Sequence, residues 1–451
     1  METLLKAAPR FELGIKDLQS SALPLGHAAD LTKDFTISDS ISNGKKTLLV
    51  ISNGHGEDLI SLRIIEALHQ QRPDLRIEVL PLVGEGKVFN YAISEKWLYK
   101  IGPSLRLPSG GFSNQSMRGL AADICAGLFQ LTWENWIYVR SAASKGRVIL
   151  AIGDLLPLFF AWGSGASFSF IGTPKSDYTW TTSFGMSFSD YYHRLKGTEW
   201  EYWEWSLMNS QRCKMVGVRD KLTARGLRRK GVNALALGNP MMDGFKPIAC
   251  PLALKENSRL LLLCGSRTPE ALENFNRLMQ AVLEIRSNKP VVIFVALGGE
   301  PALSDIEETL IELGFIKSIG NHIQAESFWQ RGIYHLFIGI GKFSEWVSLA
   351  EVGLANAGTA TEQLVGCGVP CVSLPGKGPQ FKQSFALRQS RLLGGAVIPC
   401  KNSKQLALRV EFLLRNNHFR KNLSILGSRR MGIKGGSASI ALNVLESLKD
   451  N

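Results

Sequence analysis

The chain has no Asp-x-Asp pair, no Cys-x-x-Cys pair and no tandem short repeat, and each absence closes off a class of protein. An Asp-x-Asp pair is the usual holder of a divalent ion against a diphosphate, so metal-assisted chemistry of that kind is not expected, and no resident metal or cofactor is called for. Seven cysteines are present, Cys125, Cys213, Cys250, Cys264, Cys367, Cys371 and Cys400. The one close pair, Cys367 and Cys371, has neither a second pair nor a histidine partner, which argues against a zinc site or a disulfide framework and favours a reducing cytosol. The first residues include acids and lack a continuous apolar core, so a secretory signal is not expected. Long hydrophobic runs are scarce too. Residues 148–172 come closest, with Asp154 as their sole charge, but Pro157, four glycines and several serines make them read as strand, loop and strand rather than a spanning helix.

What is present is a chain of 451 residues, 45% hydrophobic and 20% charged, long enough for two ordinary domains with their own cores. Lysine and arginine number 52 against 39 acids, a formal charge of +13 that favours anionic partners: nucleotide sugars, acidic lipid surfaces or nucleic acid. Most of this charge is scattered. One cluster, Arg219, Lys221, Arg225, Arg228, Arg229 and Lys230, has the spacing of an exposed helix face, either merely solvated, a loose membrane-surface patch, or a specific site.

Residues 1–44 read as a polar N-terminal extension rich in Ser, Asp and Lys, of the composition that stays disordered. From Lys45 a β-branched strand ends in a Gly-rich turn, apolar residues at helical spacing follow (Ile60, Ile64, Ala67, Leu68), and residues 77–83 supply a second strand. This is a βαβ start, which implies a parallel sheet with ligand loops at the carboxyl ends of its strands. Residues 148–152, 168–171 and 215–218 continue the series. A second series opens at Arg259 with a strand, a Gly-containing turn and a helix whose first turn carries Pro269, then strands at 291–297, 353–357 and 369–374. Between them, residues 238–251 hold three prolines and read as the linker. The organisation expected is therefore an α/β chain of two doubly wound domains, residues 45–240 and 258–435, joined by 241–257, with 436–451 a C-terminal helix that could cross back.

Residues 355–375 carry the densest signal, a Gly358-Thr-Ala-Thr-Glu362 turn entering a helix, then a short apolar strand, with Gln380 and Gln383 beyond. A Gly-Thr turn at a helix start presents free N–H groups and hydroxyls to an anion, which suits a nucleotide diphosphate. The segment resembles the donor-binding half of GT-B glycosyltransferases. Ser52-Asn-Gly-His-Gly-Glu-Asp58 resembles their first acceptor-side loop, and Leu150-Ala-Ile-Gly-Asp-Leu-Leu-Pro157 is similar to the segment bearing an essential aspartate in lipid-A-disaccharide synthases. Leu237-Gly-Asn-Pro-Met-Met-Asp243 resembles their Gly-His-Pro hinge with Asn for His, and Leu263-Cys-Gly-Ser-Arg267 their Pro-Gly-Ser-Arg loop with Cys for Pro. In order and spacing these motifs cover about residues 46–430, and the chain resembles the lipid-A-disaccharide-synthase-related proteins of cyanobacteria.

The resemblance implies a GT-B fold and a metal-independent transfer of a hexosyl group from a UDP-type sugar to a lipid-linked or amphipathic acceptor. A nucleotide-sugar epimerase of the same fold and a silent membrane-surface binding protein are the rival readings. Such a transfer needs a base on the acceptor hydroxyl and stabilisation of the departing diphosphate. Asp154, His55 and Glu57 are the catalytic candidates. Asp154 reads as base, acceptor-positioning group or simple helix cap; His55 as base, orienter or phosphate ligand; Glu57, with Asp58, as a spare base or a helix-start acid. For the donor the candidates are Gly265, Ser266, Arg267, Gly358, Thr359, Thr361, Glu362, Gln380 and Gln383, with ordinary capping or surface placement as the alternative for several. The aromatics Phe129, Trp133, Trp136, Tyr138, Phe159, Phe160, Trp162, Trp200, Tyr202, Trp203 and Trp205 read as core or as a lipid-facing surface. An anionic membrane surface is the expected partner and nucleic acid is not; the location expected is cytoplasmic and peripherally membrane-associated. The oligomeric state is left open.

Overall fold

The computed structural model describes residues 46–103, 127–181, 186, 188–319, 323–376 and 382–449. The N-terminal extension and Gln380 lie outside them. Seven strands form the first sheet: β1 Thr47–Ser52, β2 Arg76–Pro81, β3 Leu98–Lys100, β4 Val148–Gly153, β5 Phe168–Gly172, β6 Cys213–Val218 and β7 Ala234–Ala236. All pairings are parallel, in the order β3-β2-β1-β4-β5-β6-β7. The order reverses between β1 and β4, and a doubly wound sheet binds ligands at the carboxyl ends of strands flanking such a reversal. Apolar residues fill β1 and β4 almost without interruption, as a sheet covered on both faces requires.

The second sheet holds β8 Ser258–Leu263, β9 Val291–Leu297, β10 Ile316–Ser318, β11 Ser327–Arg331, β12 Tyr334–Ile340, β13 Val352–Ala355, β14 Cys371–Ser373 and β15 Val397–Pro399. Its order is β10-β11-β12-β9-β8-β13-β14-β15, with reversal between β8 and β13. The β10–β11 and β11–β12 pairings are antiparallel, a meander appended to a parallel sheet. The C-terminal helix Gly436–Lys449 packs on helix His55–Gln71 of the first domain. Asp243 fixes its start, its carboxylate accepting from the N–H groups of Gly435 and Ser437 at 2.6 and 2.7 Å.

Two expectations are corrected. The loop anticipated inside residues 148–172 is a helix, Leu155–Gly163, whose N-cap is Asp154. Pro157 falls in its first turn, where no backbone N–H is needed for the helix, so the proline starts this helix rather than breaking it. Among the described residues no helix is long and apolar enough to cross a membrane. Arg219, read from the sequence as part of an exposed basic face, is 5% exposed and belongs to the domain junction. The six described cysteines are unpaired, and burial pushes the thiols of Cys213 and Cys264 up to about 12, so they sit in the core as small apolar groups.

Candidate functional site

The loop after β1 delivers the acidic side of the site. Gly54 has φ 92°, and a Cβ there would lie 2.5 Å from the carbonyl oxygen of Val83, so only glycine fits this turn. Helix His55–Gln71 starts immediately after it. Ser52 donates to Asp58 at 2.5 Å, both buried, which ties the strand end to the first helical turn and occupies Asp58 structurally. Glu57 lies one residue earlier and faces β4, its Cγ 3.5 Å from where a Cβ on Gly153 would sit. Thr173, just past β5, donates to the Glu57 carboxylate across 3.5 Å. Burial pushes the Glu57 carboxyl up to about 7; the charges of Asp154 and Asp58 add to the rise, against hydrogen bonds from its own backbone N–H and from Thr173. A carboxyl titrating there takes and releases a proton at neutral pH.

Asp154 is the neighbouring acid. One of its oxygens accepts the N–H of Leu156 at 3.0 Å, so it caps the 155–163 helix while contributing its negative field to Glu57. His55 occupies the first position of its helix, on the same turn as Glu57.

Across the cleft the second domain presents two strand-to-helix turns. After β8, Gly265 takes φ 97°, Ser266 is exposed, and Arg267 precedes helix Glu270–Val282. Arg267 is partly buried; burial lowers its guanidinium pKa and Glu270 opposes the shift. After β13, Gly358 caps helix Thr359–Gly366. Thr359 is exposed, whereas Thr361 is buried and its hydroxyl donates to the Ala357 carbonyl at 2.6 Å, which directs it into the helix rather than the cleft. Gln383 is exposed at the start of helix Gln383–Leu392. Gln389, from the same helix, donates to the Gly358 carbonyl at 2.9 Å and steadies the turn.

The two halves meet here. The hydroxyl oxygen of Thr359 lies 3.5 Å from where a Cβ on Gly56 would sit, so the first turn of helix His55–Gln71 and the helix N-terminus of the second domain are within van der Waals reach. Arg219, one residue beyond β6, donates to Glu362 at 3.2 Å and approaches the Met431 sulfur at 3.1 Å. Two further ion pairs close the junction, Arg388 with Glu199 at 2.6 Å and Arg391 with Asp190 at 3.0 Å. The site thus sets one near-neutral carboxyl by a facing helix N-terminus, with Arg267 on the turn after the adjacent strand β8, an arrangement able to move a proton on one side and hold an anion on the other. Among the described residues no group of three or more His, Cys, Asp or Glu side chains could hold a metal ion.

Sequence reasoning missed the scaffold beneath the turns after β8 and β13. Asn356, 4% exposed, accepts the Leu374 N–H at 2.9 Å and donates to the Leu374 carbonyl at 2.7 Å and to Asn274 at 3.3 Å. Asn274 in turn donates to the Cys264 carbonyl at 3.4 Å, so two buried amides join the loops after β8, β13 and β14. Its signal was an asparagine ending an apolar strand, a pattern shared with any turn.

No described protein family and no curated protein matches the chain. Solved structures do. A UDP-glucose complex of UGT71G1 from Medicago truncatula aligns over 89% of this chain and 97% of its own, with TM-score 0.53 and 12% identity. The calicheamicin glycosyltransferase CalG4 aligns over 90% and 99%, with TM-score 0.52 and 15% identity. A Listeria monocytogenes protein described as a candidate UDP-N-acetylglucosamine 2-epimerase aligns over 90% and 96%, also with TM-score 0.52 and 15% identity. The fold is GT-B, two Rossmann-like domains facing one cleft.

Proposed function

We propose that the protein transfers a hexosyl group from a UDP-type sugar to a lipid-linked or amphipathic acceptor, with Glu57 as the base. The observation that carries this reading is the Glu57 carboxyl, raised toward neutrality by burial in the first turn of helix His55–Gln71, where that turn meets the Thr359 helix N-terminus. In the transfer, Glu57 accepts the proton of the acceptor hydroxyl as its oxygen bonds to the anomeric carbon. The bond from that carbon to the diphosphate breaks, and the nucleotide diphosphate leaves with the electron pair. Arg267 and the N–H groups at Gly358 and Thr359 take up the charge without a metal ion, Ser266, Gly265 and Glu362 frame the nucleotide, and Gln380 and Gln383 serve the sugar. Asp154 keeps Glu57 basic, and His55 orients the acceptor.

The acceptor class is supported by the face the first domain turns outward. Helices Leu128–Ser144, Leu155–Gly163, Tyr202–Met208 and Lys221–Arg228 cover the same face of the sheet, their inward residues sharing one core. Phe160 and Trp200 are buried in that core, while Phe129, Trp133, Phe159, Trp162, Tyr202 and Trp203 are exposed, Phe129 and Trp133 by 68% and 64%. Trp136 stacks on Phe159 at 5.4 Å and joins two of the helices into one aromatic surface. Such a surface beside a cationic helix suits the interface of an anionic membrane, to which the enzyme would bind peripherally on the cytoplasmic side.

An epimerase reading is favoured by the equal similarity to the Listeria structure. Incubation with UDP-hexoses separates the two: release of UDP only when an amphipathic acceptor is added supports transfer, whereas conversion of the donor sugar without acceptor overturns it. Binding to liposomes with neither reaction and no stabilisation by nucleotides would leave the silent membrane-surface binding protein.

A further inference from the structure

Helix Lys221–Arg228 carries Lys221, Arg225 and Arg228 on one face, spaced four and three residues apart, and all three line a cavity of about 850 Å³. Leu222, Leu235 and Leu237 form its apolar wall and Tyr178 its far side. No acid lines it. Lys221 and Arg225 make no ion pair or side-chain hydrogen bond among the described residues, and Arg228 donates to the Ala234 carbonyl at 2.7 Å. Asp220 caps the start of this helix, its carboxylate accepting from the Thr223 N–H, the Thr223 hydroxyl and the Ser176 hydroxyl, so its charge sits at the Lys221 end and leaves Arg225 and Arg228 further along the face.

Like charges three or four residues apart on one helix face repel each other. Lys221 also stands in the first turn, where the helix dipole disfavours a cation. The three cations span roughly 10 Å of helix axis, more than one phosphate covers. The far side belongs to the domain junction: Arg430 lies 4.9 Å over the Tyr178 ring and donates to the Arg391 carbonyl.

We infer that this cavity is a second anion site, separate from the donor site, for a phosphate-bearing ligand whose apolar part lies on Leu222, Leu235 and Leu237. The ligand is either an anionic lipid headgroup or a soluble phosphorylated molecule. Because Tyr178 carries Arg430 of the other domain, a ligand held there touches the junction that sets the cleft.

The test is calorimetry with inorganic pyrophosphate on the full chain saturated with UDP. One remaining site is expected, weakened at least tenfold in the Lys221→Glu/Arg225→Glu double variant and unchanged in Arg267→Ala. Both α-helical positions are exposed, and unchanged circular dichroism and Tm would show the double variant folded. Sedimentation with phosphatidylglycerol vesicles then assigns the source: binding reduced in the double variant and displaced by pyrophosphate identifies a lipid headgroup, while equal binding identifies a soluble ligand. If pyrophosphate binds the double variant as it binds wild type, or binds neither, the site does not exist. Failure of UDP to bind would sink the donor reading instead, and pyrophosphate with the two variants would still decide the cavity.

Discussion

Arg219 reaches from the end of β6 to Glu362 in the other domain at 3.2 Å, so a candidate nucleotide contact is held from the opposite domain. The Arg219 side chain is 4% exposed and that of Glu362 18%, which makes the pair sensitive to loss of either partner. Arg219→Ala strands the Glu362 carboxylate and should cost about 1–3 kcal/mol. Glu362→Ala should in addition remove most of the stabilisation by UDP, which for wild type amounts to about 2.7 kcal/mol at a ligand concentration one hundred times Kd. Thermal denaturation with and without UDP reads both effects. An Arg219→Ala protein as stable as wild type would refute the tether, and no UDP shift in folded wild type would refute the donor site.

Glu57 gives the activity its pH dependence. The folded carboxyl titrates near 7 against an ordinary 4.5, so between these values the native state keeps a proton that the unfolded state has released. Stability should therefore fall as pH rises from about 4.5 to about 7 and level off above. Activity should run the other way, kcat/KM rising with unit slope to a plateau above about 7 as the base becomes free. Glu57→Gln should flatten the stability curve over that interval and remove the rising limb of residual activity. A limb that survives in Glu57→Gln assigns the base elsewhere.

The alternation of apolar strands with helical spacing made two parallel sheets legible, because strands covered on both faces must be apolar throughout. The meander was not, since β10 has three residues and no buried one, β11 ends in a partly buried and an exposed residue, and β12 opens on the polar-edged Tyr334 and His335. Loop motifs put Glu57, Asp154, Arg267 and Glu362 on the page, but not their ranking. Glu57 looked like an ordinary helix-start acid; what distinguishes it is burial beside Gly153 and the charge of Asp154, both products of β1 and β4 lying side by side. Arg219 was hidden for a similar reason: in sequence it begins a basic run, and only the crossing of the domain junction separates it from Lys221 and Arg225.

The exposed aromatic surface predicts reversible membrane binding. Phe129→Ser/Trp133→Ser removes two side chains that stand in solvent, so stability should change by less than about 0.5 kcal/mol. Binding to anionic vesicles should drop at least tenfold. High salt should release the wild-type protein, because each basic residue near an anionic surface contributes about 1 kcal/mol and that attraction is screened. Wild type that ignores vesicles, or that only detergent extracts, contradicts peripheral docking.

Leaving-group stabilisation is assigned to Arg267 and the Gly358–Thr359 N–H groups, so turnover should persist in EDTA. Arg267→Ala should lower kcat by about 100-fold, in the range for removing one stabilising donor. Complete loss in EDTA with rescue by magnesium or manganese would transfer that role to a metal ion.

Asp154→Asn separates the two acids. Asparagine caps a helix about as well as aspartate, so the bond to the Leu156 N–H and the fold should be retained. What disappears is a negative charge that helps raise the Glu57 pKa. If Glu57 is the base, the rising limb of the pH profile moves to lower pH and the variant remains active on the plateau, with a slower rate from the weaker base. If Asp154 is itself the base, turnover falls by about 100-fold or more at every pH while UDP binding is unchanged. His55→Ala supplies the control for orientation: a rise in acceptor KM at an unshifted pH limb marks a positioning group. A pH limb that vanishes in Asp154→Asn but survives in Glu57→Gln would reverse the assignment of the two carboxyls.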